Sequence, residues 1–186
     1  MWLFLLSLAS ASDPDRDVRI GLRGVAESWQ DDAIATVYRT GAVFGGATLV
    51  VDVWGPLAAG AEFAYRSVTP KTGEDPALHL LPVTFLAEAR LPLGDDLHGL
   101  GALGAAMVAF TERDTTTALT GTRIALDMRV GARWDLHLIE PAMAPAPSAV
   151  QAVELDLFLG RRQQRPGLVG LDLSAWRAGF GLTARL

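Results

Sequence analysis

Between Thr122 and Leu136 apolar and polar side chains alternate almost without a break. Ile124, Leu126, Met128, Val130, Ala132, Trp134 and Leu136 share one parity, and Arg123, Ala125, Asp127, Arg129, Gly131, Arg133 and Asp135 share the other. A period of two is that of a strand, whose successive side chains point to opposite faces. The pattern recurs. Val153, Leu155, Leu157 and Leu159 oppose Glu154, Asp156, Phe158 and Gly160. Leu81, Val83, Phe85, Ala87 and Ala89 oppose Pro82, Thr84, Leu86, Glu88 and Arg90. Phe63 and Tyr65 oppose Glu62 and Arg66, Leu49 and Val51 oppose Thr48 and Asp52, and Ile20 and Leu22 oppose Arg19 and Arg23. Eight antiparallel strands are predicted over 16–28, 41–54, 57–69, 78–92, 98–112, 120–136, 149–162 and 168–186.

Connections sort into two kinds. Trp54-Gly55-Pro56-Leu57 and the segment 93–99 are short turns. The alternate connections are longer or more polar, which is the rhythm of an up-and-down barrel. Residues 137–148, rich in Pro and Ala, break the rhythm and read as an irregular excursion rather than a second domain.

Composition turns this into a question about which face is wet. Half of the 186 residues are apolar, yet the charged fraction is 20%. No segment supplies the ~18 uninterrupted apolar residues of a membrane helix. The first residues run apolar from Trp2 to Leu8 and then read Ala9-Ser10-Ala11 before Asp13-Pro14-Asp15. That is an export signal, with 1–11 removed and 12–186 forming the domain. Net charge is −5, so no nucleic-acid footprint is present. The absence of cysteine removes disulfides and thiolate chemistry.

Gly99, Gly101 and Gly104 have the spacing of a dinucleotide-binding turn. Such a turn needs a strand before it and a helix after it, and neither flank fits. They are read as strand glycines, with small residues such as Gly101, Ala105 and Ala109 making room for arginines inside a narrow barrel. No cofactor and no metal site is expected. His79, His98 and His137 do not have ligand spacing.

An exported, apolar, helix-poor chain favours apolar residues outside and charged residues inside. The last strand alternates Trp176, Ala178, Phe180, Leu182, Ala184 and Leu186 with Arg177, Gly179, Gly181, Thr183 and Arg185. It resembles the terminal strand of bacterial outer-membrane β-barrels, although Leu186 stands where that family usually ends in an aromatic residue. The small eight-stranded barrels of the OmpA/OmpX type are the family resembled. The resemblance implies an all-β, eight-stranded antiparallel transmembrane barrel in the outer membrane of a Gram-negative cell envelope. It implies lipid and lipopolysaccharide as surroundings and the outer-membrane assembly machinery as a partner of the last strand. Tyr65, Phe110 and Trp176 are expected at the outer interface and Trp134 at the inner one.

A barrel of eight strands is just wide enough to be filled by side chains. Its expected lumen contains Arg19, Arg23, Glu27, Asp52, Glu62, Arg66, Glu88, Arg90, Arg123, Asp127, Arg129, Arg133, Glu154, Asp156 and Arg177. Charges held away from water must be paired, so a structural ion-pair network is expected, with no open path. The expected role is structural or surface-interacting, without catalysis. One alternative is a lipid- or lipopolysaccharide-modifying enzyme using Ser67 and His79, with Glu74 nearby. Another is a soluble exported barrel for a small apolar ligand. Asp31, Asp32, Glu74 and Asp75 are read as solvated loop charge.

Overall fold

The computed structural model describes residues 17–38, 42–72, 77–113, 118–136, 150–164 and 172–186. The export signal and the 137–148 connection lie outside the described residues. Eight strands follow one another: β1 (Val18–Trp29), β2 (Ala42–Trp54), β3 (Leu57–Val68), β4 (Ala77–Pro92), β5 (Leu97–Arg113), β6 (Ala118–Asp135), β7 (Ala152–Gln164) and β8 (Ala175–Arg185). A short helix, α1 (Asp32–Val37), lies between β1 and β2. Each strand pairs antiparallel with the next, and β8 returns to β1, so the barrel is closed. Closure leaves no strand edge, as hydrocarbon requires.

The β2–β3 turn shows how local sequence places the strands. Trp54 pairs with Leu57, leaving Gly55 and Pro56 as a two-residue hairpin loop. Gly55 has φ of 52°, the left-handed value that a primed hairpin turn takes at its first central residue. At this end of the barrel β4 and β5 are also closely joined, the amide of Leu93 donating to the carbonyl of Leu97. Both chain ends of the barrel domain, Val18 and Arg185, lie here, and the longer connections leave the opposite, loop end.

The strands sort their residues by parity. The charged and small residues point inward, while Leu22, Phe85, Ile124, Val130, Leu159 and Phe180 stand exposed on the outer wall. Leu22 is 73% exposed while Arg19, two turns of the pleat away on the opposite face, is 1% exposed. In a soluble barrel the two sets would be exchanged. Here the outer wall is the surface that meets membrane lipid. Among the described residues no helix is long and apolar enough to cross a membrane, and the crossing is made by strands.

Three expectations are corrected. Gly101, Ala105 and Ala109 have outward parity, so they cannot make room inside; Ala102, Gly104 and Ala106 are the small inward residues of β5. Phe110 points inward and is 6% exposed, so it is no part of an outer aromatic girdle. It sits opposite Gly121, where an added Cβ would fall 2.6 Å from its ring. The last strand begins at Ala175, not 168; Asp172 and Ser174 form a local turn, with Ser174 donating to the Asp172 carboxylate through both amide (2.9 Å) and hydroxyl (2.7 Å).

Candidate functional site: the charged lumen

Among the described residues, the lumen gathers most of the charged side chains. It is built in two storeys. Near the short-turn end, Arg19 of β1 donates to Glu154 of β7 at 3.1 Å and also to Asp52 of β2. Arg90 of β4 shares that Asp52 carboxylate. Arg133 of β6 donates to Asp156 at 2.6 Å and to Glu88 at 2.9 Å, and lies 3.4 Å from Glu154. Thr183 donates its hydroxyl to Asp156 at 3.0 Å.

The second cluster, at mid-height, is centred on Glu62. Its two oxygens accept from Arg23 at 2.9 Å, from Arg129 at 2.6 and 3.1 Å, and from Arg177 at 3.1 Å. These arginines come from β1, β6 and β8, so one carboxylate on β3 ties together strands from around the barrel. Asp127 accepts from Arg129 at 2.6 Å and from Arg177. Glu27 pairs with Arg177 at 2.8 Å and with Arg162 at 3.0 Å. Arg23 joins the two clusters by donating to Asp156 at 3.3 Å. A void of about 20 Å³ lies beside Arg23, Glu88, Arg129 and Asp156. That is room for about one water.

Phe158 stands inside this lattice, with the guanidinium groups of Arg23 and Arg129 each 5.0 Å from its ring centre. Its neighbours in register on β6 and β8 are Gly131 and Gly179. A Cβ at Gly179 would collide with the Phe158 ring. Gly121 and Gly179 are thus glycines that make room for inward aromatics.

Above the lattice the lumen changes character. Val25, Phe44, Val68, Leu78, Leu80, Val108 and Phe110 form an apolar cluster. Ile34 and Tyr38, at α1, close it from the loop end and are 1% and 2% exposed. The helix is held there by an isolated bridge between Tyr38 and Pro70 and by the Lys71 amide donating to the Val37 carbonyl. Tyr38 donates its hydroxyl to Glu112. Arg66 and Arg123 lie in this upper region: Arg66 between the rings of Trp29 and Phe44, Arg123 over Phe110 and donating to the Thr122 carbonyl. Arg66 makes no hydrogen bond to the lattice below.

Of the residues read as lumen charge, Arg19, Arg23, Asp52, Glu62, Glu88, Arg90, Asp127, Arg129, Arg133, Glu154, Asp156 and Arg177 are brought together, and Glu27 with them. Glu154 serves Arg19 and Arg133 near the short-turn end. Arg162 was missed by the sequence reading. It continues the parity of Glu154 and Asp156 and is 1% exposed. The signal was obscured by Arg161 beside it, which faces outward and lies over Trp176.

On the outer wall near the loop end, Ser67 and His79 are cross-strand partners. Tyr65 places its hydroxyl 3.0 Å from Nδ1 of His79, and the two rings stack. Glu74 and Asp75 lie outside the described residues, as does His137. Among the described residues, no group of three His, Cys, Asp or Glu side chains is arranged to hold a metal ion.

A closed sheet of eight strands, apolar outside and charged inside, defines a small outer-membrane β-barrel, and the bacterial outer membrane is its place. Comparison with solved structures agrees. The chain is similar to Neisserial surface protein A, with 9% identity, a TM-score of 0.62, and coverage of 92% of this chain and 97% of that one. It is similar to the outer membrane protein OprG of Pseudomonas aeruginosa (12% identity, TM-score 0.58, 92% and 95% covered). It is also similar to Ail, the attachment invasion locus protein of Yersinia pestis, in complex with the heparin analogue sucrose octasulfate (8% identity, TM-score 0.55, 92% and 97% covered). At such identities the likeness is one of fold. No protein-family model matches the chain, and no curated protein matches it in sequence.

Proposed function

We propose that this chain is a non-conducting outer-membrane barrel with a structural or surface-interaction role. The observation that carries the reading is the hub at Glu62, where three arginines from three other strands meet across the lumen. A solute path would have to separate charges that have no water to replace their partners, which is costly. The apolar cluster under α1 adds a second barrier toward the loop end. Surface interaction falls to the long connections, and outer-leaflet lipopolysaccharide is the proposed neighbour of the loop-end wall. The last strand is the proposed recognition element for the assembly machinery, and cleavage before Ser12 the proposed maturation step. The purified barrel in planar bilayers tests the central reading. No stable conductance is expected; reproducible porin-like current would overturn it.

A second reading rests on Ser67 and His79 facing each other on the lipid side. There a serine and an imidazole could act on a lipid ester. The contact of Tyr65 with Nδ1 leaves Nε2 as the free ring nitrogen. Overexpression of the wild type against Ser67→Ala and His79→Ala, followed by lipid analysis, tests it. A lipid change lost in both variants supports catalysis, and unchanged lipids in all three strains count against it.

A further inference from the structure

Arg66 is 3% exposed, yet none of its three guanidinium nitrogens has a hydrogen-bond partner. Its faces are covered by Trp29 and Phe44, whose ring centres lie 4.7 and 4.8 Å away. Those contacts satisfy the charge from above and below, but not the N–H groups, which lie in the guanidinium plane. Trp29 is 6% exposed and its indole Nε1–H also lacks an acceptor. Two donor groups in contact are therefore buried with nothing to accept from them. Arginine stays protonated in proteins, so the mismatch cannot be relieved by losing a proton.

The surrounding charge has the same sign. Among the described residues, the buried cations at mid-height and above are Arg23, Arg66, Arg129, Arg162 and Arg177, against the buried carboxylates Glu27, Glu62 and Asp127. Glu27, the carboxylate whose charge acts on Arg66 without a hydrogen bond to it, is already engaged by Arg162 and Arg177. Nε and Nη2 of Arg162 make no hydrogen bond either. At the loop rim Glu112 accepts from Tyr38. Toward the short-turn end the balance reverses, with Arg19 and Arg133 against Glu88, Glu154 and Asp156. Water could serve a bare donor, but it would not offset a buried excess of positive charge.

We propose that the upper lumen holds a small inorganic anion of the halide class, bound by the N–H groups of Arg66 and Trp29. Aromatic and aliphatic side chains wall this region, an arrangement suited to a weakly hydrated anion. Such an anion completes the barrel's internal charge balance and joins the apolar cap to the lattice beneath it.

Bromide is the direct probe. Crystals of the full chain grown in sodium bromide should show an anomalous peak within contact of Arg66 and Nε1 of Trp29, absent from Arg66→Met. Unfolding in detergent gives a second readout at constant ionic strength. The wild-type midpoint should be higher in sodium chloride than in sodium gluconate. The difference should vanish in Arg66→Met and shrink in Trp29→Phe, which keeps the ring and loses only the donor. If Arg66→Met does not fold, the wild-type bromide map and Trp29→Phe decide. Bromide peaks confined to the outer surface, or a chloride effect unchanged in Trp29→Phe, would overturn the proposal.

Discussion

The two halves of the lumen solve the same problem in different ways. Toward the short turns and at mid-height, arginines and carboxylates fill the space, and most carboxylates serve two or more partners while Glu88 serves Arg133 alone among the described residues. Toward the loops, leucine, valine and phenylalanine fill it, and Arg66 rests between aromatic rings with no hydrogen bond to a carboxylate. The lower half gains direction: an ion pair holds only at one distance and angle, so it sets which strands face one another. The upper half gains tolerance, because apolar contacts accept small shifts, as suits a region covered by connections. The comparison teaches that losing one partner should be severe below and losing Arg66 mild above.

The largest effect is expected at the hub. Glu62→Gln leaves Arg23, Arg129 and Arg177 without their shared carboxylate, and the cost should be about 3–5 kcal/mol in reversible unfolding from lipid vesicles. In the upper half Phe110→Ala empties space beside Gly121 and should cost about 3 kcal/mol by the same measurement. Equal losses at Glu62 and at an upper-half cation would erase the distinction between the halves.

On the outer wall, Met128→Arg should cost about 2–4 kcal/mol if the residue meets hydrocarbon near mid-bilayer, and Met128→Gln should cost less. Met128 is 37% exposed beside Arg129, which is 6% exposed, so the two substitutions probe opposite faces of one strand. Arg90→Met should cost less than about 1 kcal/mol, because its partner Asp52 is only half-buried and has Arg19 as well. The smallest change is expected at Arg66→Met in halide-free buffer. Loss of ring contacts is offset by removal of an unpaired buried charge, and unfolding should stay within about 1 kcal/mol of wild type.

The strands were legible because both faces are written in a period of two, and a one-residue slip would put arginines into lipid. The inward charges followed from the same parity: Arg129 and Asp127 could share a face only as strand neighbours. What parity does not encode is height. Phe110 has inward parity, but its placement in the apolar cap depends on Gly121 across the sheet. Arg66 shares parity with Glu62, yet four residues along the strand carry it out of the lattice and between Trp29 and Phe44. Helix α1 was not anticipated, since six residues in a polar connection leave little periodic signal. Register, which parity also leaves open, sets Glu154 beside Arg19 and Arg133.

A double-mutant cycle between Glu62 and Arg129 tests the lattice most directly. Glu62→Gln and Arg129→Met are each expected to destabilise strongly, because each strands buried charge. Combined, they remove both ends of one pair, and the loss should fall short of the sum by about 0.5–3 kcal/mol in reversible unfolding from lipid vesicles. Strictly additive losses, with no coupling between two groups placed 2.6 Å apart, would contradict a lumen held together by its ion pairs.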